Sequence, residues 1–393
     1  MRGNYNLKNL RKISFDSDIR KNNKKLGLSI QGSRALIIGG AGTIGSNYIK
    51  IILKYKPSKL VIVDYNENGL TELTRDLRSS KLLDYNPDYI TYPVNLNSEI
   101  FDKIFLSDKF DIVANFSAHK HVRSEKDKIS VEALIKNNVF GAIKLIELCS
   151  KRSPKYFFSV STDKAANPVN IMGASKSLME KIILSKQSEF RVSTARFANV
   201  AFSNGSLLDG FLNRLNKKQP LSCPVDIKRF FVNPEQSGQI CLLATFLGDS
   251  GNIFFPKLDF HKDQIYFKDI ALDFLKENGF DPVLVESEQE AKEYNIEANK
   301  GKYPIYFFKT NTSGEKPYEE FYKLGEDFNI NQYDSLGYIK TKEEFISFKK
   351  VKNDFNQVFN NPESTKSDIV SVIKKYVPDF DHIERGKHLD QKM

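Results

Sequence analysis

Ala35-Leu36-Ile37-Ile38-Gly39-Gly40-Ala41-Gly42-Thr43-Ile44-Gly45-Ser46 is the stretch from which the fold is read. An apolar run of strand length passes straight into glycines at 39, 42 and 45, and Tyr48, Ile49, Ile51 and Ile52 then recur at helical spacing. Those glycines serve a tight turn, close approach of a pyrophosphate to the backbone, and a helix laid on a strand. The helix opening at Thr43 and Ile44 supplies amide donors. Downstream, Lys59-Leu60-Val61-Ile62-Val63 reads as a second strand ending at Asp64, nineteen residues past Gly45. A carboxylate there accepts hydrogen bonds from an adenosine ribose and repels a 2′-phosphate, so NAD is expected rather than NADP. Strand, turn, helix, strand and acid in that order predict an α/β fold: a Rossmann-type doubly wound parallel sheet with a smaller α/β substrate-binding lobe.

Working outward, third and fourth strands are expected over residues 89–94 and 111–116. Asn95 and Leu96 follow the third, where an adenine edge would lie, although a loop Asn is also ordinary turn chemistry. After the fourth comes Ser117-Ala118-His119-Lys120-His121-Val122, whose small residues let the middle of a cofactor lie against the backbone. The histidines have no further ligands at a metal spacing, so no metal site is expected. Asn137 and Asn138 fall in a helical stretch, as ordinary helix residues or as holders of a water or a carbonyl near the site.

A buried parallel strand, Tyr156-Phe157-Phe158-Ser159-Val160, leads into Ser161-Thr162-Asp163-Lys164. Hydroxyl, carboxylate and ammonium groups thus gather where an open α/β sheet places its chemistry. Beyond Asn167-Pro168, Met172 and Lys176 stand four apart at the start of a helical pattern and share one face. Another strand is expected over residues 191–197 and a helix over 234–247, followed by a last edge strand over 252–255. Ser203-Asn204-Gly205-Ser206 is a turn with donors suited to a diphosphate, or a plain turn. Lys228-Arg229-Phe230-Phe231 sets a guanidinium beside aromatics, for a phosphate or for the surface.

Composition bounds the rest. A chain of 393 residues with 40% hydrophobic content and 30 Phe can bury a full core. The formal charge of +10 is spread over Lys-rich segments, which suits anionic ligands and gives no reason to expect nucleic acid. Cys149, Cys223 and Cys241 lie far apart, so neither a disulfide framework nor a zinc site is indicated. No apolar run of membrane-spanning length and no apolar signal core occurs, and a soluble cytoplasmic protein is expected. The domain reading is an N-terminal arm over 1–33, amphipathic from 13 to 28, and a dinucleotide-binding domain over 34–200 completed by 234–256. A substrate-binding lobe spans 201–330, with a charged insertion or lid over 283–302, and a C-terminal linker and closing helix span 331–393.

GGAGTIG with Asp64, SAHKHV, NNVFG, STDKAANPVNIMGASK, RFANVAFSNGS, KRFFVNPEQ and SGEKPYEE together resemble the extended short-chain dehydrogenase/reductases that act on nucleotide sugars. The likeness is nearest to the UDP-N-acetylglucosamine 4,6-dehydratase branch, the CapD-like polysaccharide biosynthesis proteins, and it covers about residues 10–385. It implies a bound NAD that takes a hydride from sugar C4 and returns it to C6, with loss of the C6 hydroxyl and of the C5 proton between. By this resemblance Thr162 bonds the C4 oxygen, Asp163 is the acid at C6, Lys164 the base at C5, and Lys176 holds the nicotinamide ribose. The resemblance further implies that Lys120, His121, Asn199, Ser206, Arg229 and Glu315 contact a UDP-sugar, with Asn138 and the Ser117-Ala118 backbone near the cofactor, in a homo-oligomer. Two departures stand out. Met172 replaces the usual proton-taking Tyr, and Thr312-Ser313 replaces an Arg-Pro pair, removing one nucleotide contact. An epimerase of the same fold and a silent NAD-binding scaffold are the alternative readings.

Overall fold

A computed structural model of the chain describes residues 13–311 and 313–386. The six strands at its centre are β1 (Arg34–Ile38), β2 (Lys59–Asp64), β3 (Asp88–Pro93), β4 (Ile112–Asn115), β5 (Tyr156–Val160) and β6 (Val192–Ala195). They lie parallel in the order β3-β2-β1-β4-β5-β6. β1 and β2 read as continuous apolar runs because helices cover both their faces; Asn115, Ser159, Ser193 and Thr194 interrupt β4, β5 and β6, yet the central residues of these strands are buried too. Chain order reverses between β1 and β4. A crevice opens there at the carboxyl ends of the strands, and this fold takes its ligands in it.

The sheet does not stop where the sequence suggested. Asn252–Pro256 pairs parallel with β6, but it is not the edge. Leu336–Lys340 adds antiparallel to it, and Phe328–Asn329 closes that side. The stretch over 331–363, expected as linker and short helix, therefore contains a sheet strand as well, and its helix, Phe348–Asn360, runs to 13 residues. The strand is short and surrounded by polar sequence, and it gains its burial only from a distant partner. A Cβ at Gly337 would come within 2.5 Å of the Phe255 ring, so the glycine that weakens the strand signal is what lets Phe255 pack.

Residues 1–12 of the expected arm, like Thr312 and residues 387–393, lie outside the described residues. The rest of the arm forms the helices Asp16–Lys21 and Asn23–Ile30, with Phe15, Leu26 and Ile30 in the core. The buried Asp18 carboxylate fixes it by accepting from the backbone N–H groups of Asp334 (2.8 Å) and Ser335 (2.7 Å).

A second apolar cluster, including Leu208, Phe211, Leu221, Phe231, Phe274 and Tyr303, lies under two small sheets. One joins Asn199–Val200, Lys228–Val232 and Gln264–Tyr266; the other joins Leu221–Pro224, Lys302–Phe308 and Asp281–Val285. The charged stretch expected as an insertion or lid over 283–302 supplies an edge strand and the short helix Glu288–Glu293 of that second sheet.

Candidate active site

A cavity of about 610 Å³ lies over the switch point between β1 and β4. Its first wall is backbone. Gly39 has φ +74°, and a Cβ there would stand 2.5 Å from the Ser117 amide nitrogen. At Gly45 a Cβ would meet the Gly39 carbonyl oxygen at 2.4 Å. Neither position admits a side chain. The helix Thr43–Leu53 starts at Gly42 with no side chain capping it, which leaves its first amides directed at the cavity. Asp64, 8% exposed at the end of β2, accepts from Ala41 N–H (3.0 Å) and Asn66 N–H (3.0 Å). A helix end for a diphosphate and a fixed carboxylate for a ribose fit the central diphosphate and the adjoining adenosine ribose of a dinucleotide. Asn95, Leu96, Ser117, Ala118, Lys120 and His121 line the same cavity.

The second wall is made of side chains. Thr162, Lys164, Met172 and Lys176 face the cavity, and Asn199 and Ser206 join them from the other lobe. The helix Ile171–Leu184 carries Met172 and Lys176 and is capped by Asn170, whose side chain accepts from Gly173 N–H at 2.7 Å. Gly173 has to be glycine because a Cβ would sit 2.5 Å from the Lys164 carbonyl oxygen. That contact sets the helix directly against the loop that carries Lys164. Burial pushes the Lys176 amine down to about 8, with the Glu180 carboxylate opposing the shift.

Four of the residues expected at the site do not line the cavity. Asp163 is 1% exposed and sits behind its neighbours, accepting from the Thr162 hydroxyl (2.9 Å) and the Lys164 ammonium (3.0 Å). Its other oxygen, Oδ2, is buried with no hydrogen-bond partner among the described residues. Asn138 lies in a five-residue widened turn, Lys136–Phe140, and clamps His119. It accepts from the His119 N–H at 2.8 Å, and its amide donates to the His119 carbonyl (3.0 Å) and the Ser175 hydroxyl (3.0 Å). Arg229 turns its guanidinium inward, donating to the carbonyls of Lys228, Lys316 and Pro317, and is 5% exposed. The Glu315 carboxylate accepts from the Thr310 hydroxyl. Asn138 and Arg229 have backbone partners that satisfy their polar groups, and neither lines the cavity.

The structure also adds residues that the sequence did not disclose. Glu125 is buried, and its carboxylate accepts from Ile171 N–H (2.9 Å) and Met172 N–H (2.8 Å) at the mouth of the helix. Burial pushes it up to about 7 against the pull of those two amides. Glu180 accepts from the Ser161 hydroxyl (2.5 Å) and from Arg196, which also reaches Glu326. Glu125 sits in charged sequence that reads as solvated surface, whereas Glu180 is an acid within a largely apolar helix, and no local signal names the partners of either.

A parallel core in the order 3-2-1-4-5-6 with a glycine turn at its switch point defines the class: a Rossmann-type α/β protein of the extended short-chain dehydrogenase/reductase group. The family model described as "Polysaccharide biosynthesis protein" matches residues 35–340, and the chain belongs to that family. Capsular polysaccharide biosynthesis protein CapD of Staphylococcus aureus is 24% identical over 360 residues, covering 88% of this chain and 56% of CapD. A UDP-N-acetylglucosamine 4,6-dehydratase (inverting) of Campylobacter jejuni is 29% identical over 239 residues, 58% of this chain and 67% of that protein. A protein of Methanocaldococcus jannaschii named as an uncharacterized membrane protein is 28% identical, covering 77% of this chain and 84% of its own length. Among the described residues of this chain, no helix is long and apolar enough to cross a membrane. Of solved structures, Pen from Bacillus thuringiensis superposes with a TM-score of 0.66 at 22% identity, covering 84% of this chain and 98% of that one.

Proposed function

We propose that the chain is a 4,6-dehydratase of a UDP-N-acetylhexosamine, with UDP-N-acetylglucosamine as the substrate and NAD as the resident cofactor. The observation that carries this reading is the placement of Thr162 and Lys164 on one cavity wall with Asp163 bonded to both, beside Met172 and Lys176. The Campylobacter jejuni relatives named as UDP-N-acetylglucosamine 4,6-dehydratases support the choice of reaction and substrate. The glycine turn, the open helix end and Asp64 would hold the cofactor, and Asp64 favours a free ribose 2′-hydroxyl over a phosphate. When bound, a nicotinamide dinucleotide supplies a hydride acceptor and donor.

The chain's own groups manage the protons. Thr162 binds the C4 oxygen, and Lys164 takes the C5 proton that becomes acidic beside a C4 ketone. Asp163 is 1% exposed, so as the acid it acts through the hydroxyl bonded to it: protonated Asp163 gives its proton to Thr162 as the Thr162 hydroxyl gives its own to the departing C6 hydroxyl, which leaves as water, and Asp163 is left ionised. Met172 has no proton to exchange. Tyr-mediated oxidation and reduction of the kind an epimerase uses is therefore disfavoured. The test is mass spectrometry and NMR of UDP-N-acetylglucosamine after incubation with the protein. Loss of one water with a C4 ketone is expected. A C4 epimer of unchanged mass would establish the epimerase instead, and unaltered substrate would leave a binding protein.

A further inference from the structure

Beneath the reaction wall is a buried charge cluster that the proposed reaction does not account for. Glu319 is 2% exposed, and its carboxylate is met from three directions. Lys164 Nζ lies 3.7 Å from its Oε1, Arg229 Nη2 lies 3.6 Å from the same oxygen, and Lys316 Nζ lies 3.4 Å from Oε2. Oε2 nevertheless has no hydrogen bond of good geometry among the described residues, as is true of Asp163 Oδ2. Lys164, the one cation of this cluster that lines the cavity, is thus shared by two buried carboxylates. The remaining charge at the edge of the cluster is Glu320, 3.8 Å from Lys316, whose carboxylate also accepts from the Asn167 side chain at 2.8 Å.

The segment that delivers Glu319 is tied at both ends of this cluster. Arg229 holds the carbonyls of Lys316 (3.1 Å) and Pro317 (3.3 Å), while Lys316 reaches back to the Asn167 carbonyl (3.3 Å) on the reactive loop. A buried carboxylate with three cations around it and an unspent oxygen is costly unless it fixes something. What it fixes is the terminal nitrogen of Lys164, a long flexible side chain that Asp163 alone would restrain from one side.

We propose that Glu319 is a positioning residue for the proton transfer at Lys164, holding the ammonium against the cavity wall in concert with Asp163. Arg229 acts with it as the anchor of its segment rather than as a ligand contact. This rests on the reading of Lys164 as the base at C5, and one of its two measurements does not depend on that reading.

The first measurement is trace acetylation of Lys164 in the full chain near neutral pH, read by mass spectrometry against a surface lysine of the same molecule. Glu319→Gln removes one of two opposing charges within about 4 Å, and Lys164 labelling is expected to rise about tenfold. Glu319→Asp retains the charge but withdraws it, and is expected to give an intermediate rise. It also serves if the Gln variant does not fold. The second is turnover of UDP-N-acetylglucosamine. In Glu319→Gln, kcat is expected to fall about tenfold with KM within about twofold, the split expected of a group that positions a reacting side chain and does not bind substrate. A folded variant with unchanged Lys164 labelling would overturn the proposal. A wild-type chain that makes no keto product would instead overturn the dehydratase reading, and the labelling ratio would still decide whether Glu319 holds Lys164.

Discussion

The glycine turn at residues 39–45 and the reactive loop at residues 161–170 face one cavity but are shaped by different means. In the turn, everything that matters is backbone: a positive φ at Gly39, amides at a helix start, and excluded Cβ positions at Gly39 and Gly45. Such a site is written in contiguous residues, and where it meets distant ones, as Gly39 meets Ser117, it does so through backbone. In the loop, the orientation of each reactive side chain is borrowed. Lys164 depends on Glu319, the helix carrying Met172 depends on Glu125, and Ser161 depends on Glu180. The first region is therefore expected to tolerate changes elsewhere in the chain, whereas the second responds to substitutions far from it in sequence.

The sharpest test of the contrast is Lys164→Ala. It is expected to lower kcat about a thousandfold, with the proposed cofactor still bound at near wild-type affinity as read by absorbance and fluorescence titration. Loss of cofactor binding in that variant would show that the two walls are one unit. The reverse case is Gly39→Ala. Its Cβ would lie 2.5 Å from the Ser117 nitrogen at a φ of +74°, and cofactor affinity is expected to fall about a hundredfold. A milder change, Asp64→Ala, is expected to weaken NAD about tenfold and to narrow the preference over NADP in isothermal titration, since a charged ribose partner contributes on the order of 1.5 kcal/mol.

The smallest effect is thermodynamic. Burial raises the carboxyl of Glu125 from 4.5 to about 7, so the folded state holds a proton that the unfolded chain gives up. Its contribution is present below about pH 4.5 and is lost as pH climbs through about 7. Glu125→Gln is expected to flatten that part of the stability profile, read as Tm across the same window. An unchanged slope would remove Glu125 from the account of the helix that presents Met172.

The same contrast explains what could be read beforehand. The Rossmann order, the cofactor turn and Asp64 were legible because period, glycine spacing and strand ends are local signals. The loop residues Thr162, Lys164, Met172 and Lys176 were legible through their motif, and they do converge on the cavity. For Arg229 and Glu315 a polar residue's type does not say whether its partner is a ligand or another group of the chain; the structure gives them Lys316, Pro317 and Thr310 as partners and leaves both off the cavity lining. Glu125, Glu180 and Glu319 escaped notice for a related reason: their partners are decided by pairings across the chain. The strand Leu336–Lys340 was hidden likewise, since only its pairing with Asn252–Pro256 makes it part of the sheet.

Residues 381–383 brace the reactive loop from the far end of the described chain. The Asp381 amide donates to the Pro168 carbonyl (3.1 Å), and the Ile383 amide donates to the Val169 carbonyl (3.0 Å). Chains are made from the amino end, so these two bonds form after the strands and glycines of the cofactor crevice have already left the ribosome. Under the proposed function, a nascent polypeptide would complete its glycine-lined crevice before the loop carrying Thr162 and Lys164 is braced, so that ligand capture during synthesis would precede catalytic competence.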